Sequence, residues 1–151
     1  TKEPKEHFHT EYKEFFQLQM AYLLLWSIIE KYITFRYSLA SPRKVSIRQK
    51  YLNLANDRYF CCCLNKYINR ERKVIDVKDP KNKYKYLKKN EPKESLDYYY
   101  QIRSNITHRG KAAGQDYEKI RLSLIELYHI MKSTIDNAFK ESKKYLKSNF
   151  I

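Results

Sequence analysis

Glycine and proline are scarce in this sequence of 151 residues, with two and four copies. Sandwiches and barrels of β-strands have many turns that use both residue types, so these folds are excluded. The longest apolar run, residues 20–29, is about half of the roughly 20 residues that a membrane-spanning helix needs. Without a signal-peptide pattern either, we expect an all-α cytoplasmic protein that has no membrane partner.

Acidic residues are also few, since 17 Asp and Glu stand against 31 Lys and Arg, a formal net charge of +14. Such an excess favours polyanionic partners. A genome rich in A and T would also favour Lys, Tyr, Asn and Ile, so composition alone leaves two explanations open. The position of the charges favours binding of a polyanion over genome composition. Residues 66–93 hold 11 Lys and Arg against 4 acidic residues, which is half of the whole excess of positive charge.

Cysteine occurs only as the run Cys61, Cys62 and Cys63. Adjacent thiols match no structural zinc spacing, and an odd number in one run cannot form a disulfide framework. We expect reduced, mostly buried side chains. Another candidate metal pair, Glu126 with His129, lacks the second pair and the carboxylates of a di-iron bundle. The sequence therefore predicts no metal site and no cofactor.

Four segments show helical periodicity. They cover about residues 9–38, 45–68, 96–107 and 116–146, with Ser95 and Asp116 as expected N-caps of the last two. The first segment is apolar on all sides between Met20 and Ile33, and such a helix must be covered all round. In so small a domain, we expect one face of this helix in the chain's own core and another against a second subunit.

The helical pattern fails in the basic segment. Two short segments that could form strands, residues 74–77 and 84–87, lie on either side of Asp79-Pro80. They predict a small basic hairpin or loop at about residues 73–92. Two interpretations stay open, a solvated loop and a strip that contacts nucleic acid with tyrosines for base stacking. In the second interpretation, Lys83, Lys85 and Lys88 bind phosphates.

The third predicted helix ends in a polar and basic run, Arg103-Ser104-Asn105-Ile106-Thr107-His108-Arg109-Gly110-Lys111. The apolar stripe of this helix comprises Leu96, Tyr99, Ile102 and Ile106. His108 projects about 160° from the centre of that stripe, toward water or a partner. Ser104 and Asn105, about one turn earlier, can flank its imidazole.

Arg103 and His108 suit phosphodiester chemistry. A guanidinium holds two phosphate oxygens and stabilises a developing phosphorane, while an imidazole takes a proton from a ribose 2′-OH or gives one to the 5′-oxygen. Because RNA supplies the nucleophile, no metal is required. Both side chains also complement a helix dipole, which is the simpler explanation.

The two side chains are about 140° apart on an ideal helix. They converge only if the helix unwinds near Gly110 or if a second copy of the motif approaches across a two-fold axis. Tyr98–Tyr100 could stack on bases beside such a site, although Tyr99 is better placed in the core.

Arg103 followed after four residues by His108, late in an all-α chain, resembles the Arg-x4–6-His motif of the HEPN-domain family. The segment Leu25-Trp26-Ser27-Ile28-Ile29-Glu30 is similar to the early Trp-Glu helix of that family. The resemblance implies an all-α, HEPN-like helical bundle of about four to five helices. Residues 1–151 would form one such domain, complete or as a fragment of a longer chain.

The resemblance further implies a homodimer whose two motifs meet in one composite, metal-independent endoribonuclease site. Arg103 and His108 would be catalytic, and Ser104 or Asn105 would take the supporting place that follows the Arg in many members. The basic residues that follow the motif, Arg109 and Lys111, would bind RNA. The implied role is a toxin or an anti-phage defence effector, with an antitoxin or an associated defence protein as partner.

Two other functions stay open at this point. Some HEPN proteins have lost catalysis, so the main alternative is a noncatalytic module that dimerises and binds RNA or a nucleotide. A third interpretation is a structural helical domain that serves a protein partner, with a merely compositional positive charge. Whatever the function, we expect Glu30, in the middle of the first predicted helix, to snorkel or to pair at an edge of the bundle rather than orient a catalytic group.

Overall fold

The computed structural model describes residues 3–38, 46–79, 81, 84–109 and 117–150. Within these ranges the chain forms five α-helices and a two-stranded antiparallel sheet. The elements are α1 (Glu3–Ile33, followed by a π-helical turn at Thr34–Ser38), α2 (Ile47–Ala55), α3 (Arg58–Tyr67), β1 (Arg72–Ile75), β2 (Tyr84–Leu87), α4 (Pro92–Arg109) and α5 (Tyr117–Phe150). The predicted all-α bundle with a small hairpin is confirmed.

The core lies between α1, α4 and α5 and is closed by the shorter elements. Trp26 of α1 is fully buried, with its ring edge-on to Tyr51 of α2 at 5.3 Å and to Tyr100 of α4 at 5.5 Å. The stripe predicted for α4 is confirmed, because Leu96, Tyr99, Ile102 and Ile106 are all buried. No helix in the described ranges is both long and apolar enough to cross a membrane.

The single helix predicted over residues 45–68 is wrong, because α2 and α3 are separate. Asp57 stands between them with extended backbone angles, and its Oδ1 accepts hydrogen bonds from the backbone N–H groups of Tyr59 (2.8 Å) and Phe60 (3.1 Å). Its Oδ2 lies 3.2 Å from Nε of Arg36. A carboxylate that caps a new helix stabilises a break that apolar periodicity alone does not reveal.

The expected N-cap at Ser95 is also wrong, because α4 begins at Pro92, where proline is favoured as the first helical residue. Ser95 is buried inside the first turns. Its hydroxyl donates to the carbonyl of Lys88 (2.7 Å) and accepts from the N–H of Lys88 (3.1 Å), so it fastens the end of β2 to α4. Asp116, expected to cap the last helix, lies outside the described residues.

The hairpin packs mainly on α4. The strand at Tyr84–Leu87 is confirmed, while its partner is Arg72–Ile75, two residues earlier than predicted. The register pairs Arg72 with Leu87 and Val74 with Lys85. Because side chains alternate along a strand, this register buries Val74 and Leu87 against the bundle and turns Lys73, Tyr84 and Tyr86 outward.

Candidate active site and nucleic-acid interface

Arg103 lies where α4 meets the end of α1. Its Nη2 is 3.7 Å from Oε1 of Glu30, with the two side chains 30% and 36% exposed. The guanidinium carbon is 5.4 Å from the ring centroid of Tyr100, three residues earlier on the same face of α4. A carboxylate on one side and an aromatic ring on another restrict the guanidinium and leave part of it open to solvent.

Glu30 is itself held in place. The hydroxyl of Tyr51 donates a hydrogen bond to its Oε1 at 3.2 Å. Burial, followed by the nearby Glu30 carboxylate, raises the pKa of Tyr51 well above its ordinary value, so its hydroxyl stays protonated and remains a donor. Glu30 therefore pairs at a bundle edge, as expected, and its partner there is Arg103.

His108 is exposed near the end of α4, as predicted. The helix remains regular through Arg109, so the chain does not unwind between Arg103 and His108. Five residues of regular helix place the two side chains about 140° apart. One copy of the described helix thus does not bring them together, and Gly110 lies outside the described residues.

The two predicted supporting residues differ in their contacts. Nδ2 of Asn105 donates to the carbonyl of Ile75 (2.8 Å), and its Oδ1 accepts from Nε2 of Gln101 (2.8 Å) and from the N–H of Val77 (3.3 Å). These bonds fix the end of β1 on α4, so the Asn105 amide anchors the hairpin rather than flanking the imidazole. Ser104 is half-buried, and its carbonyl accepts from the hydroxyl of Thr107 at 2.9 Å.

A cleft of about 470 Å³ opens beside Arg103, between α2, β2 and α4. Its aromatic side is formed by Tyr51 and Tyr100, whose ring centroids are 5.0 Å apart. Two leucines, Leu52 and Leu96, also line the cleft. Its charged groups are Lys85 of β2 with Lys93 and Asp97 of α4. Since Tyr100 also lies under the guanidinium of Arg103, the cleft and the arginine are neighbours.

The outer face of the hairpin carries cations over aromatic rings. Nζ of Lys73 lies 4.5 Å from the ring centroid of Tyr84, and Nζ of Lys88 lies 5.3 Å from that of Tyr86. Both tyrosines are exposed. Basic and aromatic side chains in this alternation can contact phosphates and stack on bases of a single strand. We call Lys73, Tyr84, Tyr86 and Lys88 the hairpin strip.

Three of the five predicted phosphate-binding side chains are not among those that the structure describes. Lys83 and Lys111 lie outside the described residues, as does the side chain of Arg109, which is the last residue of α4. Of the remaining two, Lys85 lines the cleft and Lys88 belongs to the hairpin strip, where its Nζ also lies 3.8 Å from Oε2 of Glu94.

One face of α1 is apolar and exposed. Opposite the buried Trp26, side chains at intervals of four residues face outward, and Leu24 is 63% exposed. We call this set the α1 stripe, and it comprises Phe16, Met20, Leu24 and Ile28. The predicted core face of this helix is observed, and a second apolar face is exposed on it. That a second subunit covers this face stays a prediction.

The Glu126 and His129 pair on α5 has structural contacts. Glu126 is buried and accepts two hydrogen bonds from the guanidinium of Arg72, at 2.8 and 3.3 Å, and a third from the hydroxyl of Tyr99. His129 stacks on the ring of Tyr67 at 5.7 Å. The bidentate ion pair accounts for the buried carboxylate without a ligand.

The cysteines lie on α3, with Cys63 buried, Cys61 half-buried and Cys62 exposed. Burial raises the pKa of the Cys61 and Cys63 thiols, which keeps both protonated and poorly nucleophilic. Within the described ranges, no group of three or more His, Cys, Asp or Glu side chains could hold a metal ion.

Sequence reasoning missed most of the cleft. Tyr51, Lys93 and Asp97 belong to no motif, so the sequence does not mark them as neighbours. Two sequence signals reach the cleft. Lys85 of the basic segment lines it, and so does Tyr100 of the three-tyrosine run, whose Tyr98 and Tyr99 are fully buried. Side chains from α2, β2 and α4 meet only after folding.

No family model matches the chain, and no curated protein or solved structure shows significant similarity to it. The likeness to the HEPN family therefore depends on the motif residues and their positions in the chain alone.

Proposed function

We propose that this protein is a metal-independent endoribonuclease that acts as a homodimer through Arg103 and His108. The observation that carries this proposal is the placement of Arg103. Its guanidinium is restricted by Glu30 and Tyr100 yet partly open, and it lies beside a cleft lined with aromatic and cationic side chains. A preorganised positive charge of this kind can stabilise the negative charge that develops on a phosphate in the transition state.

The proposed reaction is an internal transesterification of RNA. The His108 imidazole accepts the proton of a ribose 2′-OH, and the 2′-oxygen forms a bond to the neighbouring phosphorus. The bond from phosphorus to the 5′-oxygen breaks, that oxygen takes a proton from water, and the His108 imidazolium returns its proton to the solvent. Arg103 stabilises the charge on the phosphorane with its fork of donors. The products are a 2′,3′-cyclic phosphate and a free 5′-OH.

The homodimer follows from the separation of the two side chains. Because Arg103 and His108 diverge on a regular helix, the proposed site joins Arg103 of one copy to His108 of the other. The α1 stripe supports such an association, since four large apolar side chains lie exposed on the helix that also carries Glu30. Burying this row against a second copy would remove apolar surface from water.

The cellular role proposed here follows the HEPN resemblance. A cytoplasmic ribonuclease that needs no cofactor would act on cellular or phage RNA, as a toxin or an anti-phage effector does. Such an activity would need restraint, so an antitoxin or an associated defence protein is the proposed partner besides RNA. The net charge of +14 supports contact with an acidic partner of either kind.

The alternative is a noncatalytic HEPN-like module that dimerises and binds RNA or a nucleotide. The observation that favours this alternative is the ion pair of Arg103 with Glu30. Glu30 already compensates much of the guanidinium charge, and His108 stands apart on the helix. Under this alternative, Arg103 holds α4 to α1, and RNA is bound by the cleft and the hairpin strip.

A cleavage assay on single-stranded RNA tests the proposal. We expect His108→Ala to lower the rate roughly 10²- to 10⁴-fold, which is the usual contribution of general acid–base catalysis. RNA retention and the dimer should persist. His129→Ala is the matched control, because His129 is also an exposed helical histidine but lies on α5 against Tyr67.

The expected cleavage is insensitive to a chelator, and its products end in a 2′,3′-cyclic phosphate. Full cleavage by His108→Ala, or a strict requirement for magnesium, would overturn the proposed mechanism. Salt-sensitive RNA retention without cleavage by the wild-type chain would support the noncatalytic alternative. No retention at all would favour a structural helical domain.

A further inference from the structure

The cleft between α2, β2 and α4 is large enough for a small ligand and brings aromatic and charged side chains together. Its volume of about 470 Å³ lies within the range of roughly 300–1,000 Å³ that is usual for small-molecule sites. It combines an aromatic side with two ammonium groups and one carboxylate, and none of these charged groups is required by the reaction proposed above.

We propose that this cleft is a nucleotide subsite that takes one guanine nucleotide of single-stranded RNA. The base packs against the tyrosine side, Lys85 and Lys93 bind its phosphate, and Asp97 reads the edge of the base. This inference rests on the proposed binding of RNA, but it does not depend on catalysis by Arg103 and His108.

The aromatic side of the cleft is fixed before any ligand arrives. Trp26 is fully buried and packs edge-on against both Tyr51 and Tyr100, which holds their rings in place. The two rings are inclined to each other by 53°, and Tyr51 is buried while Tyr100 is half-buried, so in the proposed subsite the base stacks on the ring of Tyr100. A preorganised wall of this kind loses little conformational entropy on binding.

The charges divide the cleft into two kinds of contact. Lys85 and Lys93 supply donors without acceptors, which suits a phosphate. Asp97 supplies only acceptors, which repel a phosphate and instead suit N–H groups. Guanine carries two adjacent N–H donors on its Watson–Crick edge, at N1 and at the 2-amino group, and both can bind one carboxylate. Uracil has a single donor there, and adenine and cytosine each have an acceptor beside their amino group, so guanine is the favoured base.

The position of the cleft relates the subsite to the proposed chemistry. Tyr100 lines the cleft, and the guanidinium of Arg103 lies 5.4 Å from its ring centroid. A nucleotide bound in the cleft would therefore have its neighbouring phosphate close to Arg103. If the chain cleaves RNA, cuts should occur next to guanine.

Titration of the whole chain with GMP and UMP, followed by calorimetry, tests the subsite. We expect GMP to bind roughly tenfold more tightly than UMP, as one good base-edge contact provides. Lys93→Glu should weaken both nucleotides roughly tenfold, while Lys89→Glu is the matched control, because Lys89 is exposed in the turn after β2 and lies outside the cleft. Asp97→Asn should remove the preference for GMP, and Glu91→Gln should leave it unchanged.

The same variants separate this inference from the proposed ribonuclease. If Lys93→Glu and Asp97→Asn bind GMP and UMP as the wild type does, the subsite is wrong, even when His108→Ala abolishes cleavage. If the wild type prefers GMP, Lys93→Glu weakens both nucleotides and Asp97→Asn loses the preference, but no RNA is cut, then the subsite stands and the ribonuclease fails. Equal affinity of the wild type for GMP and UMP would overturn the guanine assignment.

Discussion

Nη2 of Arg103 on α4 lies 3.7 Å from Oε1 of Glu30 near the end of α1, and the hydroxyl of Tyr51 on α2 donates a hydrogen bond to the same oxygen. Three helices thus meet at the one arginine that the motif singled out. The proposed mechanism goes beyond the expectation for Glu30 and makes it a positioning residue, because its carboxylate restrains the guanidinium of Arg103.

The first prediction concerns Glu30→Gln. We expect a loss of stability of about 1 kcal/mol or less, since both partners are partly exposed and Gln can still bond to Tyr51. Cleavage should fall roughly tenfold in kcat with little change in KM, because a less restrained guanidinium is worse placed in the transition state. Glu14→Gln, an exposed α1 change, is the control. An unchanged kcat would mean that the ion pair serves the fold alone.

The second prediction concerns the α1 stripe. Leu24→Lys places a charge on a side chain that is 63% exposed, so the monomer should fold normally while the dimer dissociates. Sedimentation velocity should show monomers, and cleavage should be lost with the dimer. Phe139→Lys is the matched control, since Phe139 is a comparably exposed apolar residue on α5. A Leu24→Lys dimer with full activity would exclude the α1 stripe as the interface.

The third prediction concerns the lysines that were expected to bind phosphate. RNA affinity should fall as salt rises, and Lys85→Gln with Lys88→Gln should reduce the slope of log K against log salt by roughly 0.7 per lysine, as for single strands. Lys143→Gln with Lys144→Gln, near the end of α5, should leave the slope as it is. If both pairs reduce the slope alike, RNA is bound by net charge and not by the hairpin.

The fourth prediction concerns the buried ion pair of Arg72 with Glu126. Arg72→Met leaves a buried carboxylate without its partner and should cost about 3–5 kcal/mol in the free energy of unfolding, measured in urea. Adding Glu126→Leu should recover most of that loss. Arg70→Met, on an exposed neighbour, should change stability by less than about 0.5 kcal/mol. A mild effect of Arg72→Met would mean that the pair has little structural importance.

The sequence predicts those features of the fold that depend on local periodicity. The α4 stripe and the outward direction of His108 follow from 3.6 residues per turn, and the described helix bears them out. The break at Asp57 does not follow from periodicity, because apolar spacing continues through it while the carboxylate takes backbone N–H groups from the next helix. The same limit applies to Ser95, whose hydroxyl bonds to Lys88 instead of capping a helix.

Contacts between distant segments explain what was missed at the site. Asn105 lies beside Arg103 in the motif, but its amide binds the end of β1, thirty residues earlier in the chain. Tyr51 and Asp97 carry no signature of their own and gain a role only where α2 and α4 meet. A motif therefore predicts which residues carry the chemistry, and packing decides what surrounds them.

The central claim is that Arg103 of one copy acts with His108 of another, and mixing two inactive variants tests it most directly. Arg103→Ala and His108→Ala, each inactive alone, are combined under conditions that exchange subunits. In an equal mixture, half of the dimers contain one copy of each variant. Each mixed dimer has one intact site and one site that lacks both side chains, so about a quarter of the wild-type cleavage should return. A mixture that exchanges subunits and stays as inactive as its components would contradict the shared site.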